Sequence, residues 1–308
     1  MTASEGFAHP ALFYRGADEY LDGTLPFIRA ARAAGEPVAV AVPGPNLKLL
    51  RDALGADADE VRMLDMTEAG RNPGRIIATV LRAFADSHPD RPVRIIGEPI
   101  WADRSDLEYP ACAQHEALIN LAFTGRDATI LCPYDTEQLA PWVIADAEAT
   151  HPVLIDAGGT RASTRYAPLD IVDRYNQPLP EFDQPVEILV EGPDLTGARI
   201  LTREHAGRAG VRAERVPDVE LVVTELATNS LLHGGGTARI RLGASGRHFV
   251  CEVRDTGRLT DPLAGRHPSL PGQSGGRGLL LVHHVSDLVR TRTEVSATTI
   301  QAYFRVGA

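Results

Sequence analysis

The sequence predicts two compact units of different class, an α/β unit built on a mainly parallel sheet and a smaller α+β unit after it. Three observations carry this expectation. The chain has 308 residues, about twice the length of a typical single domain. Its first half alternates short apolar runs with helical stretches, whereas its second half sets helices and hairpins in another order. Between the halves lies RASTRYAPLDIVDRYNQPLPEFDQP, rich in Pro and polar residues and poor in apolar periodicity. The expected division is 1–158, a linker over 159–180, and 181–308.

In the first unit ALFY, VAVAV, VRML, VRIIG, ATILC and PVLI have the length and apolar content of buried strands. Between them ADEYLDGTLPFIRAARAAG, NLKLLRDALG, PGRIIATVLRAFADSH, ACAQHEALINLAF and TEQLAPWVIADAE place apolar residues three and four apart, as helices do. Strands alternating with helices predict a mainly parallel sheet covered on both faces. Ligands of such sheets bind at the carboxyl ends of the strands. Those ends carry Val42 to Pro45, Gly97 to Trp101 and Cys132 to Asp135.

The second unit reads as a strand (PVEILVE), a helix (ARILTREHAGRAG), and a helix from Pro217 to His233. A hairpin (TARIRLGA and HFVCEVRD), a Gly-rich stretch, a helix (GLLLVHHVSD) and two strands (LVRTRTEV, TTIQAYFRV) follow. Helices on one face of a mixed or antiparallel sheet are the layering this order predicts.

Charge and composition exclude several functions. The formal net charge of −10 argues against a general nucleic-acid binder. Residues 1–160 carry 24 acidic and 13 basic side chains, and residues 161–308 carry 17 and 18, so the charge sits in the first unit. Of the 31 basic residues only Lys48 is a lysine, and PGPNLKLL around it has no GK pair, so the chain has no P-loop. The three cysteines (Cys112, Cys132, Cys251) are too few and too scattered for a disulfide framework. No apolar run reaches the length of a membrane span, and MTASEGFAHP lacks the form of a signal peptide. The expected place is the cytoplasm, with no membrane partner.

The chemistry concentrates in the second unit. Glu225, Asn229 and His233 are each four residues apart, so they share one ridge of the second helix. Val219, Val222, Val223 and Leu226 form its apolar face, and a carboxylate beside that face costs desolvation unless it is paired or used. The strand HFVCEV then ends in Asp255-Thr-Gly257, and Gly275-Gly276-Arg277-Gly278 opens a further helix, where free N–H groups favour phosphate. Each piece alone is commonplace: a solvated helix face, a turn, a cap. Their order is not.

That order resembles the ATP-binding (Bergerat-fold, HATPase_c) domain shared by histidine kinases, gyrase-type ATPases and Hsp90-like proteins. It is most similar to anti-sigma serine kinases of the RsbW type, over residues 181–308 and above all TELATNSLLHGGG, EVRDTG and GGRGLLLV. The resemblance implies ATP and Mg²⁺ as cofactors, with Asn229 on the Mg²⁺ and Glu225 as general base. It implies Asp255 on the adenine amino group, Gly257 for close approach of the base, and Gly276, Arg277 and Gly278 over the phosphates. His233 lines the same site, and Thr299 in TTIQAYF matches the family's hydroxyl near adenine. Leu259 stands where a second Gly would complete D-x-G-x-G, and RLTDPLAGRHPSLPGQSGG reads as a long lid. The implied partners are a sigma factor and an anti-anti-sigma (STAS) protein, in partner switching that regulates transcription under stress. Two alternatives stay open: an ATP-holding partner switch without phosphoryl transfer, and the catalytic half of a histidine kinase with His205 as the nearby phosphoacceptor candidate.

The first unit resembles the MEDS sensory domain over residues 8–155, through HPALFYRGADEYLDGTLPFIRA, RIIGEPIW, YPACAQHEALIN and ILCPYD. That likeness implies a RecA/KaiC-like three-layer fold used for sensing. The joined order is similar to RsbA-type anti-sigma regulators. Cys112 and His115 lie three apart on a helix, Cys132 ends a strand and His9 stands near the start, so soft and imidazole ligands are at hand for a zinc or redox site. The competing reading makes the cysteines small buried apolar residues and His115-Glu116 a polar helix turn. Glu98, Trp101 and Glu116 are alternative pocket residues, and a dimerising role, with a homodimer as partner, is the remaining option.

Overall fold

The fold is taken from a computed structural model that describes residues 6–268 and 276–307. Two compact units divide the chain, one ending at Tyr175 and the other starting at Asn176. The first runs β1 (Phe7–Ala8), β2 (Pro10–Tyr14), α1 (Gly16–Ala33), β3 (Val38–Val42), α2 (Gly44–Leu54), β4 (Arg62–Asp65) and α3 (Met66–Ala69). It continues through α4 (Pro73–Ile76), a π-helical turn (Ile77–Arg82), α5 (Ala83–Asp86), β5 (Val93–Gly97), α6 (Tyr109–Ala122) and β6 (Ala128–Asp135). It closes with α7 (Pro141–Thr150), β7 (Val153–Asp156), β8 (Gly159–Ala162) and α8 (Pro168–Arg174).

The sheet order is β4-β3-β5-β6-β2-β7-β8, with β1 also paired to β6. Every pairing is parallel except β7 with β8. Every residue of β2 and β3 is buried, as expected of parallel strands covered on both faces and of the continuous apolar runs that encode them. Tyr20 and Ile28 of α1 and Leu50 of α2 pack into the same core as Val38, Val40 and Val42. The mainly parallel α/β unit expected from the alternation is thus present, and each of its six sequence-predicted strands forms.

The second unit runs β9 (Asp183–Val190), α9 (Thr196–Arg208), α10 (Val216–His233), β10 (Ala238–Ser245) and β11 (His248–Asp255). It ends with α11 (Arg277–Val285), β12 (Leu288–Glu294) and β13 (Ala297–Arg305). Its five strands form a separate antiparallel sheet in the order β12-β13-β11-β10-β9. Val219, Val222, Val223 and Leu226 of α10 share a core with Ile240, Leu242, Phe249, Cys251, Val253 and Ile300 from the sheet. The alternation of these strand residues gives the sheet one apolar face and leaves the other polar. On that other face Gln301 Nε2 donates to Glu252 Oε2 at 2.6 Å and to the Pro180 carbonyl at 2.9 Å.

The stretch expected to be a linker, 159–180, is ordered over most of its length. β8 extends the first sheet, and α8 buries Ile171 completely while Gln114 of α6 donates to the Val172 carbonyl at 3.2 Å. Asp146 of α7, almost fully buried, accepts from Tyr109 at 3.0 Å and is bonded to Arg174 and Tyr175 at the end of α8. Beyond Tyr175 the chain turns to the second unit, where the Asn176 side chain exchanges two hydrogen bonds with the backbone of Thr293. The composition misled because a seven-residue helix with one core residue leaves almost no periodicity to read.

A linker would tolerate Ile171→Ala. Its complete burial predicts instead a loss of about 2–5 kcal/mol from the first unit, read as a lower midpoint in urea unfolding followed by a probe in that unit.

Candidate functional site

The ridge read from the sequence becomes a wall of a cavity in the second unit. Packing of the valine face against the sheet leaves Asn229 and His233 lining a cavity of about 350 Å³ together with Asp255, Gly257, Gly276 and Gly278. Apolar side chains complete it, among them Leu226, Val253, Leu259, Leu279 and Ile300. Glu225 stands one turn before Asn229, against the entry to α11: a Cβ on Gly278 would lie 2.5 Å from Glu225 Oε2 and 3.5 Å from Asn229 Nδ2. A side chain there would push the Glu225 carboxylate out of its present position. Gly276, at φ 78°, holds the left-handed conformation just before α11.

Asp255 ends β11, and its carboxylate is held at both oxygens. Gly257 N–H donates to Oδ1 at 2.8 Å, and Ser230 Oγ donates to Oδ2 at 2.6 Å. A carboxylate has further acceptor capacity after two such bonds. Gly257 is required by close packing: a Cβ there would lie 2.7 Å from Gly234 Cα and 2.8 Å from the His233 carbonyl oxygen. Leu259, where the resemblance has a glycine, needs no special backbone. Among the described residues only Gln184 combines a side chain with positive φ. Leu259 N–H donates to Thr298 Oγ1 at 3.1 Å, and that hydroxyl donates to the Gly257 carbonyl at 2.9 Å.

The cavity therefore takes its hydroxyl from Thr298 and not from Thr299. Thr298 lies opposite Asp255 in the β11–β13 register, and Thr299 lies opposite Arg254. With a side-chain period of two, one residue of offset turns the hydroxyl to the other face of the sheet. The apolar residues Ile300, Ala302 and Phe304 mark the core face, and they share parity with Thr298. Arg277 begins α11 but is exposed and does not line the cavity. Gly275 and the middle of the expected lid, 269–275, lie outside the described residues. Within residues 258–268, Leu259, Asp261, Leu263, Gly265 and His267 line the cavity. Ser230, Gly234 and Thr298 escaped sequence reading, although Ser230 sits one residue after Asn229.

Residues 192–304, which hold this cavity, match the family model of the histidine kinase-like ATPase domain, and residues 8–152 match MEDS, the methanogen/methylotroph DcmR sensory domain. The chain joins a MEDS domain to a histidine kinase-like ATPase domain. Among solved structures it is similar to the Acinetobacter baumannii histidine kinase AdeS, with 11% identity, 41% of this chain and 70% of that one covered, and a TM-score of 0.27. No curated protein matches it. Among the described residues no helix is long and apolar enough to cross a membrane.

In the MEDS domain the five residues singled out for sensing fall into three places. Glu98 follows β5 and lines a cavity of about 300 Å³ with Tyr14, Asn46, Trp101 and Asp135, at the carboxyl ends of β2, β3, β5 and β6. Asn46 Nδ2 donates to both carboxylate oxygens of Glu98, at 3.1 and 2.9 Å, and the Tyr14 hydroxyl donates to Oε1 at 3.3 Å. His9 and Cys132 instead meet beneath the sheet ends, where Glu116 and His151 join them in a fully buried group. Cys112 and His115 are buried on α6 outside that group. His151 was not legible as a partner by spacing, but His9-Pro10 and His151-Pro152 stand alike at the starts of β2 and β7, which pair in parallel.

Burial pushes the Glu98 carboxyl up to about 8; the bonds from Asn46 and Tyr14 oppose the rise, and the Asp135 charge adds to it. A folded-state value above the unfolded 4.5 means that the folded MEDS domain holds a proton the unfolded chain releases. Stability from this group is therefore full below about pH 4.5 and is lost as pH rises toward about 8. Glu98→Gln should flatten that decline in unfolding midpoints of the MEDS domain. An equally steep decline in the variant would contradict the assignment.

Proposed function

We propose that the protein is an anti-sigma regulator whose ATPase domain binds ATP with Mg²⁺ and phosphorylates a serine or threonine of an anti-anti-sigma STAS partner, under control of the MEDS domain. The observation that carries the reading is the placement of Asn229, Asp255, Gly276 and Gly278 around one cavity, with Glu225 against Gly278 at its edge. Its apolar lining suits a planar base, and Asp255, anchored by Ser230 and Gly257, offers an acceptor to the adenine amino group. The free N–H groups at the start of α11, nine residues long, favour phosphate oxygens.

Asn229 is the residue that would hold Mg²⁺, a hard ion that takes neutral amide oxygens and keeps several waters. When bound, it offsets charge on the phosphates. The chain's own contribution is Glu225. Its carboxylate, beside the glycine turn, takes the proton from the attacking hydroxyl as that oxygen bonds to the γ-phosphorus and ADP leaves. Phosphorylated STAS partner would release the protein to hold its sigma factor. The histidine kinase reading has less support, because His205 sits on α9, whose Ala198, Thr202 and Ala206 are buried in the domain core.

The MEDS cavity at the strand ends has the position and polarity of a small-ligand site. Its occupant is the signal in this proposal, and the kinase is its output.

The test is γ-labelled ATP with the full chain and a STAS-domain partner. Glu225→Gln should leave ATP affinity within a few-fold and lower phosphate transfer by about 10²–10⁴-fold, the usual contribution of a general base. Asn229→Ala should lose ATP binding in Mg²⁺. Label that appears on the chain itself at His205, and never on the partner, would favour a histidine kinase instead.

A further inference from the structure

The buried group in the MEDS domain has a composition and geometry that the nucleotide site does not need. Cys132 comes from β6, His9 precedes β2 and His151 precedes β7, so three neighbouring parallel strands bring three donors together near the starts of β2 and β7. Glu116 reaches them from α6. Their donor atoms all lie within 4.8 Å of one another. His9 Nε2 is 3.4 Å from Cys132 Sγ and 3.4 Å from Glu116 Oε2, and His151 Nε2 is 3.2 Å from the same oxygen. None of the four is more than about 1% exposed.

The surrounding hydrogen bonds fix which ring nitrogens carry protons. Asn120 Nδ2 donates to the carbonyls of Ala117 and Thr150, at 3.1 and 2.9 Å, so its Oδ1 is the atom that faces His9 Nδ1 at 3.2 Å. An amide oxygen only accepts, so His9 Nδ1 donates. His151 Nδ1 lies 2.8 Å from the Ala147 carbonyl, which also only accepts. In their neutral, metal-binding form both imidazoles therefore turn an Nε2 lone pair toward the Glu116 carboxylate. Apart from these approaches within the group, neither Glu116 oxygen nor His151 Nε2 has a hydrogen-bond partner among the described residues. Two such lone pairs and a buried carboxylate at one spot need a positive charge between them, a proton or a metal ion, and the soft thiol of Cys132 beside them suits the metal.

We propose that His9, Glu116, Cys132 and His151 bind one divalent transition-metal ion, with Zn²⁺ the best match. Tetrahedral Zn²⁺ takes imidazole, carboxylate and thiolate donors at about 2.0–2.3 Å, which sets neighbouring donors roughly 3.3–3.8 Å apart. The separations of 3.2–3.4 Å among His9, Glu116, Cys132 and His151 lie close to that range, and the remaining pairs are within 4.8 Å. Asn120 and the Ala147 carbonyl supply the outer hydrogen bonds that metal-bound imidazoles usually make. The Cys132 thiol gives up its proton to solvent when the ion enters. The four donors close the coordination shell, so the ion ties β6, β2, β7 and α6 together. The ligand cavity around Glu98 opens from the carboxyl ends of β6 and β2.

The test uses the full chain without a polyhistidine tag, expressed in minimal medium with Zn²⁺ or Co²⁺ and passed through EDTA-containing buffer before metal analysis. About one ion per chain is expected, as for a closed four-ligand site. The Co²⁺ form should show visible bands of tetrahedral cobalt and a near-ultraviolet thiolate-to-cobalt band. Cys132→Ser should abolish the thiolate band and lower the affinity at least tenfold, whereas Cys112→Ser, a buried cysteine outside the group, should keep both. If Cys132→Ser does not fold, the thiolate band in the wild type and in Cys112→Ser decides. Wild-type protein that holds no stoichiometric metal overturns the proposal, as does a folded Cys132→Ser variant with an unchanged cobalt spectrum. ATP binding is unaffected by either result, so this site and the kinase reading fail separately.

Discussion

The contact between the valine face of α10 and the antiparallel sheet determines everything the ATPase domain can do. Val219, Val222, Val223 and Leu226 are almost completely buried, and burying a side chain of this size contributes about 1.5–3 kcal/mol. That gain fixes the rotation of the helix. With the rotation set, the ridge one position away puts Asn229 and His233 in the cavity wall and Glu225 beside Gly278 at the start of α11. The same contact sets the distance at which the end of α10 passes the end of β11. Gly234 and Gly257 touch there with no room for a Cβ on Gly257. Polar residues at the margin of a core are costly, and Asn229, Ser230 and Asp255 border the cavity.

The MEDS domain solves a different problem with the same physics. Its central strands are buried on both faces and leave no polar face to carry chemistry, so function is confined to strand ends and to the few polar side chains the core encloses. At the carboxyl ends Glu98 is held by Asn46 and Tyr14 in a cavity. Nearer the amino ends of β2 and β7, His9 and His151 enclose Glu116 with Cys132. These two arrangements use different strands and different chemistry, one open to a ligand and the other sealed.

Much of this was legible in the sequence, and the failures have identifiable physical causes. Strands and helices were readable because apolar runs and three-four spacing report burial directly. Glu225 and Asn229 were readable because helix spacing alone places them together. The resemblance implies Thr299, because a motif match ignores strand parity; the apolar residues at 300, 302 and 304 carry the parity that puts Thr298 at the cavity. Cys112 and His115 were grouped with Cys132 and His9 because they share a helix turn, but Glu116 and His151 are the residues that converge. Such convergence depends on strand order, which no local pattern encodes. The helix Pro168–Arg174, inside the stretch 159–180 that the composition marks as linker, is hard to read because a short helix with a single buried isoleucine resembles coil in composition.

The most direct test of the nucleotide site is calorimetric titration of the full chain with ATP and with GTP, in Mg²⁺. The account predicts one ATP bound per chain and no comparable heat with GTP, because Asp255 accepts from an amino group where guanine presents a carbonyl oxygen. Equal binding of the two nucleotides, or binding of neither, would contradict it.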